Sequence, residues 1–131
     1  MKRAYEGKFH SALLFANFEK VNSGYILYNK FYNKECEIDH VACRNKIIFI
    51  FEGKRTNIKG VEKQLIKIAG LILNQRELLE KNIIFGIFNS IRLFAYSWKW
   101  QTLVEYNLKG EIKQTLKYEN NKQLIEFLRN L

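Results

Sequence analysis

Residues 46–54 read Lys-Ile-Ile-Phe-Ile-Phe-Glu-Gly-Lys, and shortly before them residues 37–39 read Glu-Ile-Asp. The apolar run from Ile47 to Phe51 is unbroken. A strand of that kind is buried on both faces and belongs at the centre of a sheet. Glu52 then puts a charge where another core residue is expected, and local violations of that sort are more often functional than accidental. Residues 35–43, Glu-Cys-Glu-Ile-Asp-His-Val-Ala-Cys, alternate like a second strand, and Arg44-Asn45 reads as a two-residue turn. With that turn Cys43 pairs with Lys46, Asp39 lies opposite Ile50, and Glu37 lies opposite Glu52. Asp39 and Glu52 become diagonal neighbours on one face, roughly 7–8 Å apart. Lys54 shares the face, because strand residues two apart point the same way.

Outward from this hairpin, residues 3–20 carry Tyr5, Phe9, Leu13 and Ala16 at helical spacing, and Asn22-Ser23-Gly24 reads as the end of that helix. Residues 25–34 read as a first strand. Residues 58–80 place Val61, Leu65, Ile68, Ile72 and Leu79 on one helical stripe. Residues 82–89 and 91–98 read as two strands around Asn89-Ser90, 100–108 as a further extension of the sheet, and 120–131 as a terminal helix. The predicted class is α/β, a mixed central β-sheet flanked by helices. No linker or repeat is visible, so residues 1–131 are expected to form one domain.

Basic residues number 22 against 13 acidic, a net charge of +9, which makes a polyanion the leading partner. Lysine is favoured over arginine, and a bias from an A+T-rich genome is the alternative source of part of that surplus. No apolar run reaches the ~20 residues that span a bilayer, and the charged start, Met1-Lys2-Arg3-Ala4-Tyr5-Glu6, predicts no secretion signal. Cys36 and Cys43 are an odd number of positions apart on one strand and cannot bridge. The expectation is a reduced, intracellular, cytoplasmic protein with no disulfide framework, no cysteine metal site and no membrane association.

Twelve of the acidic residues are Glu, and Asp39 is the single Asp. Two carboxylates leaning toward one point, with water completing the shell, suit a hard divalent cation such as Mg²⁺ or Mn²⁺. Such an ion acidifies bound water and stabilises charge on a phosphoryl oxygen, and an ammonium such as that of Lys54 neutralises developing negative charge.

Asp39, twelve intervening positions, and Glu52-Gly53-Lys54 closing a hydrophobic strand resemble the PD-(D/E)xK nuclease superfamily. The order of a leading helix, three strands, a helix and a further strand over residues 3 to 98 is similar too. The resemblance implies a restriction-endonuclease-like αβββαβ core and metal-dependent hydrolysis of phosphodiester bonds in DNA, or else RNA. It implies Asp39, Glu52 and the Gly53 carbonyl as metal ligands, Lys54 as the catalytic lysine, and a first-helix carboxylate at Glu6. Ile38 stands where the signature carries Pro. Gln64 falls where one branch has a glutamine, while Ile68 replaces that branch's aromatic. His10, one turn beyond Glu6, matches a first-helix histidine ligand of some viral members. A core this small would draw any sequence specificity from a homodimer or a partner.

Each residue also has a plainer reading. Asp39, Glu52 and Lys54 would make a salt bridge at a strand end, Glu6 a solvated helix charge, and His10 a core or surface histidine. Glu37 is an outer support of the site or an edge charge. Arg55, Lys59, Lys63 and Lys67 with Gln64 form a nucleic-acid-binding edge or a solvated helix face. Phe94, Tyr96, Trp98 and Trp100 stack on bases or line a buried sheet face. A catalytically silent nucleic-acid-binding module and an interaction protein on the same fold are the competing functions.

Overall fold

The computed structural model describes residues 3–29, 31–81 and 85–131. In chain order they form α1 (Ala4–Phe15), β1 (Lys20–Tyr28), β2 (Lys34–Arg44), β3 (Ile47–Lys54), α2 (Val61–Asn74), α3 (Arg76–Leu79), β4 (Ser90–Ser97), β5 (Thr102–Tyr106), β6 (Ile112–Lys117) and α4 (Asn121–Arg129). The six strands make one open mixed sheet in the order β1-β2-β3-β4-β5-β6. Every neighbouring pair is antiparallel except β3 and β4. The chain reaches that parallel pairing by crossing over through α2, as a parallel connection requires. No helix is long and apolar enough to cross a membrane among the described residues.

The unbroken run in β3 is used on both faces. Ile48 and Ile50 pack with Val61, Leu65, Ile68 and Ile72 of α2. Phe49 and Phe51 pack with Phe9 and Leu13 of α1 and Leu124 and Leu128 of α4. Each such aliphatic or aromatic side chain contributes about 1.5–3 kcal/mol when fully buried, so the central strand holds the two layers together. Arg44 closes one end. Its guanidinium donates to the carbonyls of Ala16, Leu128 and Leu131 and lies 4.3 Å from the Phe18 ring centroid.

Several boundaries differ from the sequence expectation. The first helix stops at Phe15, and Asn17 turns left-handed at φ 64°. Asn22, Ser23 and Gly24 do not end a helix but lie inside β1, which starts five residues earlier than expected. Gly24, at φ +71°, bends the strand. Ser23 reaches His10 and His40 on the α1 side, whereas Tyr25 packs against Phe85 on the α2 side. Of the strand expected over 82–89, residues 82–84 lie outside the described residues, and 85–89 are loop. Phe85 and Phe88 are buried against the α2 layer instead. The sixth strand is Ile112–Lys117, a mostly exposed edge. The long helix expected over 58–80 is broken at Gln75 into α2 and α3.

The β2–β3 turn is Asn45-Lys46, not Arg44-Asn45: Arg44 pairs with Ile47. Both turn residues have positive φ, 54° and 61°, the signature of a type I′ hairpin, whose twist matches the strands it joins. Asn tolerates the left-handed region, whereas lysine there is strained. Replacing Lys46 by Gly is therefore expected to stabilise the protein by roughly 0.5–1 kcal/mol. Urea unfolding checks this: the midpoint should rise at constant m-value, and an unchanged or lower midpoint would refute the turn assignment.

Candidate active site

The corrected turn shifts each residue's partner by two positions and so keeps the side-chain parity. The β2–β3 ladder runs from Arg44↔Ile47 to His40↔Phe51. Continued one step further, it brings Asp39 level with Glu52, directly opposite instead of diagonal. There the backbone ladder gives way to side chains. The Asp39 N–H donates to Glu52 Oε1 at 3.3 Å, and the Gly53 N–H donates to Asp39 Oδ2 at 2.9 Å.

A small concavity, about 180 Å³, opens at this point. Asp39, Glu52, Gly53 and Lys54 line it, as do Glu6 and Arg3 from the start of α1 and Gln64 from α2. Gly24 and Glu37 complete its wall from the bent hairpin. The structure thus brings together Asp39, Glu52, Gly53, Lys54, Glu6, Glu37 and Gln64 from the sequence reading.

Glu52 is 2% exposed. Burial, and then the neighbouring Asp39 carboxylate, push its carboxyl up from 4.5 to about 9, with Lys54 pulling weakly the other way. A carboxyl so placed holds a proton at neutral pH unless a cation replaces it.

Behind the concavity runs a chain of hydrogen bonds, half-buried at His10 and fully buried at His40 and Tyr96. His10 Nδ1 meets Ser23 Oγ at 2.6 Å, Ser23 Oγ meets His40 Nδ1 at 2.6 Å, and His40 Nε2 meets the Tyr96 hydroxyl at 2.8 Å. His10 is therefore engaged with Ser23 and does not line the carboxylate concavity. His40 is fully buried, and burial, followed by the positive field of His10, pushes it down to about 3. Burial likewise raises the Tyr96 hydroxyl far above its ordinary range. Tyr96 stacks on Phe9 with ring centroids 3.8 Å apart and covers Gly53 so closely that a Cβ there would collide with its ring. Gly53 is thus the residue that lets Tyr96 and its hydrogen-bonded His40 pack behind the site. The sequence reading passed over His40, Ser23 and Arg3. The one signal for His40 was parity: next to Asp39 in a strand, it points to the opposite, buried face.

The basic residues separate into two groups. Lys59, Lys63 and Lys67 are exposed along the start and outer side of α2 and line none of the concavities described here. Arg55 instead faces the other way, into a concavity with Arg3, Tyr5, Lys8 and Trp98. Phe94 and Tyr96 are buried, whereas Trp98 is half-buried and Trp100 is 53% exposed.

Comparison with known proteins finds no matching family model, no similar curated protein and no similar solved structure.

Glu52 carries a pH signature. Its carboxyl binds a proton more tightly when folded than when unfolded, so its contribution to stability is complete below about pH 4.5 and is lost as pH rises toward 9. Glu52→Gln keeps a neutral, similarly shaped side chain. In EDTA, the melting temperatures of the two proteins should agree near pH 5, and the variant should melt several degrees higher at pH 9. Parallel curves over that range would mean that Glu52 is not buried beside Asp39. A second expectation concerns Gly53→Ala: displacing Tyr96 should cost about 1–3 kcal/mol, read from chemical denaturation. An unchanged midpoint would contradict the close packing of that ring.

Proposed function

We propose that this chain is a metal-dependent nuclease that hydrolyses phosphodiester bonds, with DNA as the first substrate class and RNA as the second. The observation that carries the reading is the direct opposition of Asp39 and Glu52 at the end of an apolar strand, with Lys54 on the same concavity. A salt bridge at an exposed strand end does not account for a carboxyl buried to 2% exposure and directly opposite a second carboxyl. The element order α1, β1-β2-β3, α2, β4 also agrees with a restriction-endonuclease-like core.

The donor set suits a cation that keeps several waters. Among the described residues no three His, Cys, Asp or Glu side chains form a closed metal cluster. Two carboxylates do converge, and Gly53 turns its N–H toward β2. An extended residue directs its C=O to the same neighbouring strand as its N–H, so the Gly53 carbonyl is a fitting third oxygen. Asp39, Glu52 and that carbonyl would hold Mg²⁺ or Mn²⁺, which when bound supplies an acidified water and charge neutralisation at phosphorus.

The chain's own groups have separate tasks. Glu52 gives up its proton when the site gains a cation, so metal uptake releases protons. Lys54 presents its ammonium to a phosphate oxygen and offsets negative charge as it develops. Arg3, exposed at the rim with one N–H donated to the Tyr5 hydroxyl, receives a flanking phosphate on the rest of its guanidinium. Glu6 and Gln64 offer an acceptor and an amide from the two helices for orienting water.

The test is incubation with labelled single-stranded, double-stranded and branched DNA and RNA, in Mg²⁺ or Mn²⁺ against EDTA. Cleavage should require the metal and fall about a thousandfold or more, the scale of several kcal/mol, in Asp39→Ala and Glu52→Gln. Glu52→Gln should still bind nucleic acid, because it loses a charge that repels phosphate. Cleavage that survives Asp39→Ala would overturn the proposal. Binding without cleavage under every metal would favour the silent binding module, for which the +9 charge speaks.

A further inference from the structure

Two larger concavities, about 680 and 600 Å³, lie beside the carboxylate site, and the three are joined by shared residues. Arg3 lines both the carboxylate concavity and the first of these. Lys8 and Trp98 line both the first and the second. Arg55 adds a cation to the first and Lys99 adds one to the second. Four cations therefore run along the path, and no described residue lining either larger concavity is acidic.

The strand geometry explains the alignment. β3 and β4 are parallel, so their C-terminal ends emerge on the same side, where ligands of α/β sheets gather. The pairing continues past the strands: the Trp98 N–H donates to the Lys54 carbonyl at 2.9 Å, and the Lys99 N–H donates to the Arg55 carbonyl at 2.8 Å. Trp98 thus stands one strand away from Lys54. An independent feature lies at the far end. Tyr118 lines the second concavity and is 4% exposed, and its buried hydroxyl has no hydrogen-bond partner among the described residues. A buried hydroxyl left unpaired costs free energy, and here it belongs to a residue in the wall of the second concavity.

We infer that this path binds one strand of nucleic acid, running from the Asp39–Glu52 site past Arg3, with phosphates on Lys8, Arg55 and Lys99 and a base against Trp98. The inference rests on the nuclease reading for what happens at the near end. It places the bound strand away from the Lys59–Lys63–Lys67 edge of α2. The occupant is a single strand because the aromatic wall between the two concavities offers a stacking surface. The bases of a duplex are already stacked on one another and cannot reach it.

The experiment measures binding in EDTA, so that no cleavage is needed. Fluorescein-labelled oligothymidylate and oligouridylate of about twelve nucleotides are titrated by anisotropy across a salt series, with a duplex of equal length as competitor. Lys8 and Lys99 are exposed, and their joint reversal, Lys8→Glu with Lys99→Glu, leaves the core intact. It should weaken binding at least tenfold and make the slope of log affinity against log salt shallower by about 1.4, two single-strand phosphate contacts. Quenching of intrinsic fluorescence by the oligonucleotide should persist in Trp100→Phe and disappear in Trp98→Phe. Wild-type affinity in the Lys8/Lys99 variant overturns the path, as does duplex binding tighter than single-strand binding. A full loss in Lys63→Glu with Lys67→Glu, with none in Lys8/Lys99, would move the strand to α2. The two readings also fail separately. Metal-dependent cleavage with an unaffected Lys8/Lys99 variant removes the path alone, and binding that follows the path without cleavage in any metal removes the nuclease alone.

Discussion

A charged residue at the end of a buried strand has to be reconciled with the core that precedes it. Glu52 follows five apolar residues of β3 and is as buried as the last four of them. An isolated carboxylate in such a place is costly enough that it takes up a proton or finds a cation instead. The surroundings of Glu52 fit that constraint. Asp39 is brought level with it and bonded to the adjoining Gly53 amide, Lys54 stands beside it, and the start of α1 arrives with Arg3 and Glu6. Asp39 satisfies the Gly53 amide, so part of its burial is offset within the protein, whereas burying Glu52 beside it costs free energy. Glu105 shows the contrasting solution. It is equally buried, and although burial alone would raise its pKa, two bonds from Arg92 and one from Gln114 lower it below the ordinary range. Glu105 has its cation within the protein; the Asp39–Glu52 pair is compensated mainly by its own proton.

The site depends on packing behind it as much as on the residues that line it. His10, Ser23, His40 and Tyr96 join α1, β1, β2 and β4 through three hydrogen bonds. The shared partner, Ser23, has one proton to give and must accept at its other contact. The four groups therefore orient as a set. Tyr96 at the end of the set lies over Gly53, so the strand that carries Glu52 and Lys54 is held from behind by a buried polar line. Because His40 is kept neutral by burial, acid below its ordinary pKa of 6.5 works against this support, and stability is lost as pH falls toward 3.

What could be read from the sequence follows from which signals are local. β3 was legible because its run of apolar residues admits only a central strand. The common face of Asp39 and Glu52 was legible because side-chain parity survives the actual shift of the hairpin. The register itself was not, because it turns on whether Asn45 takes the first or the second left-handed position of a two-residue turn. Stability of the whole hairpin, not composition, decides that. The span of β1 was misread because Asn22-Ser23-Gly24 has the composition of a helix stop, while here Gly24 bends a strand. The run at 82–89 was misread because Phe85 and Phe88 are apolar enough for a strand but are used by a loop covering the α2 layer. β6 was missed because an exposed edge strand has no apolar alternation to betray it. His40 and Tyr96 were invisible as partners because they are far apart in sequence and meet only across the sheet.

The single parallel pairing in the sheet ties these features together. Had β4 been antiparallel to β3, its C-terminal end would lie at the far edge, and Trp98 would stand a sheet's length from Lys54. Because α2 carries the chain back before β4 begins, the ends of both strands emerge together, and the start of α1 meets them there. The carboxylates come from the hairpin, the cations from the start of α1 and the segments after β3 and β4, and the aromatic wall from Trp98 just past β4. Each source is ordinary alone. Their meeting follows from one crossover helix, whose buried stripe of Val61, Leu65, Ile68 and Ile72 was among the clearest patterns in the sequence. The feature easiest to read for the fold is thus also the one that brings the candidate site together.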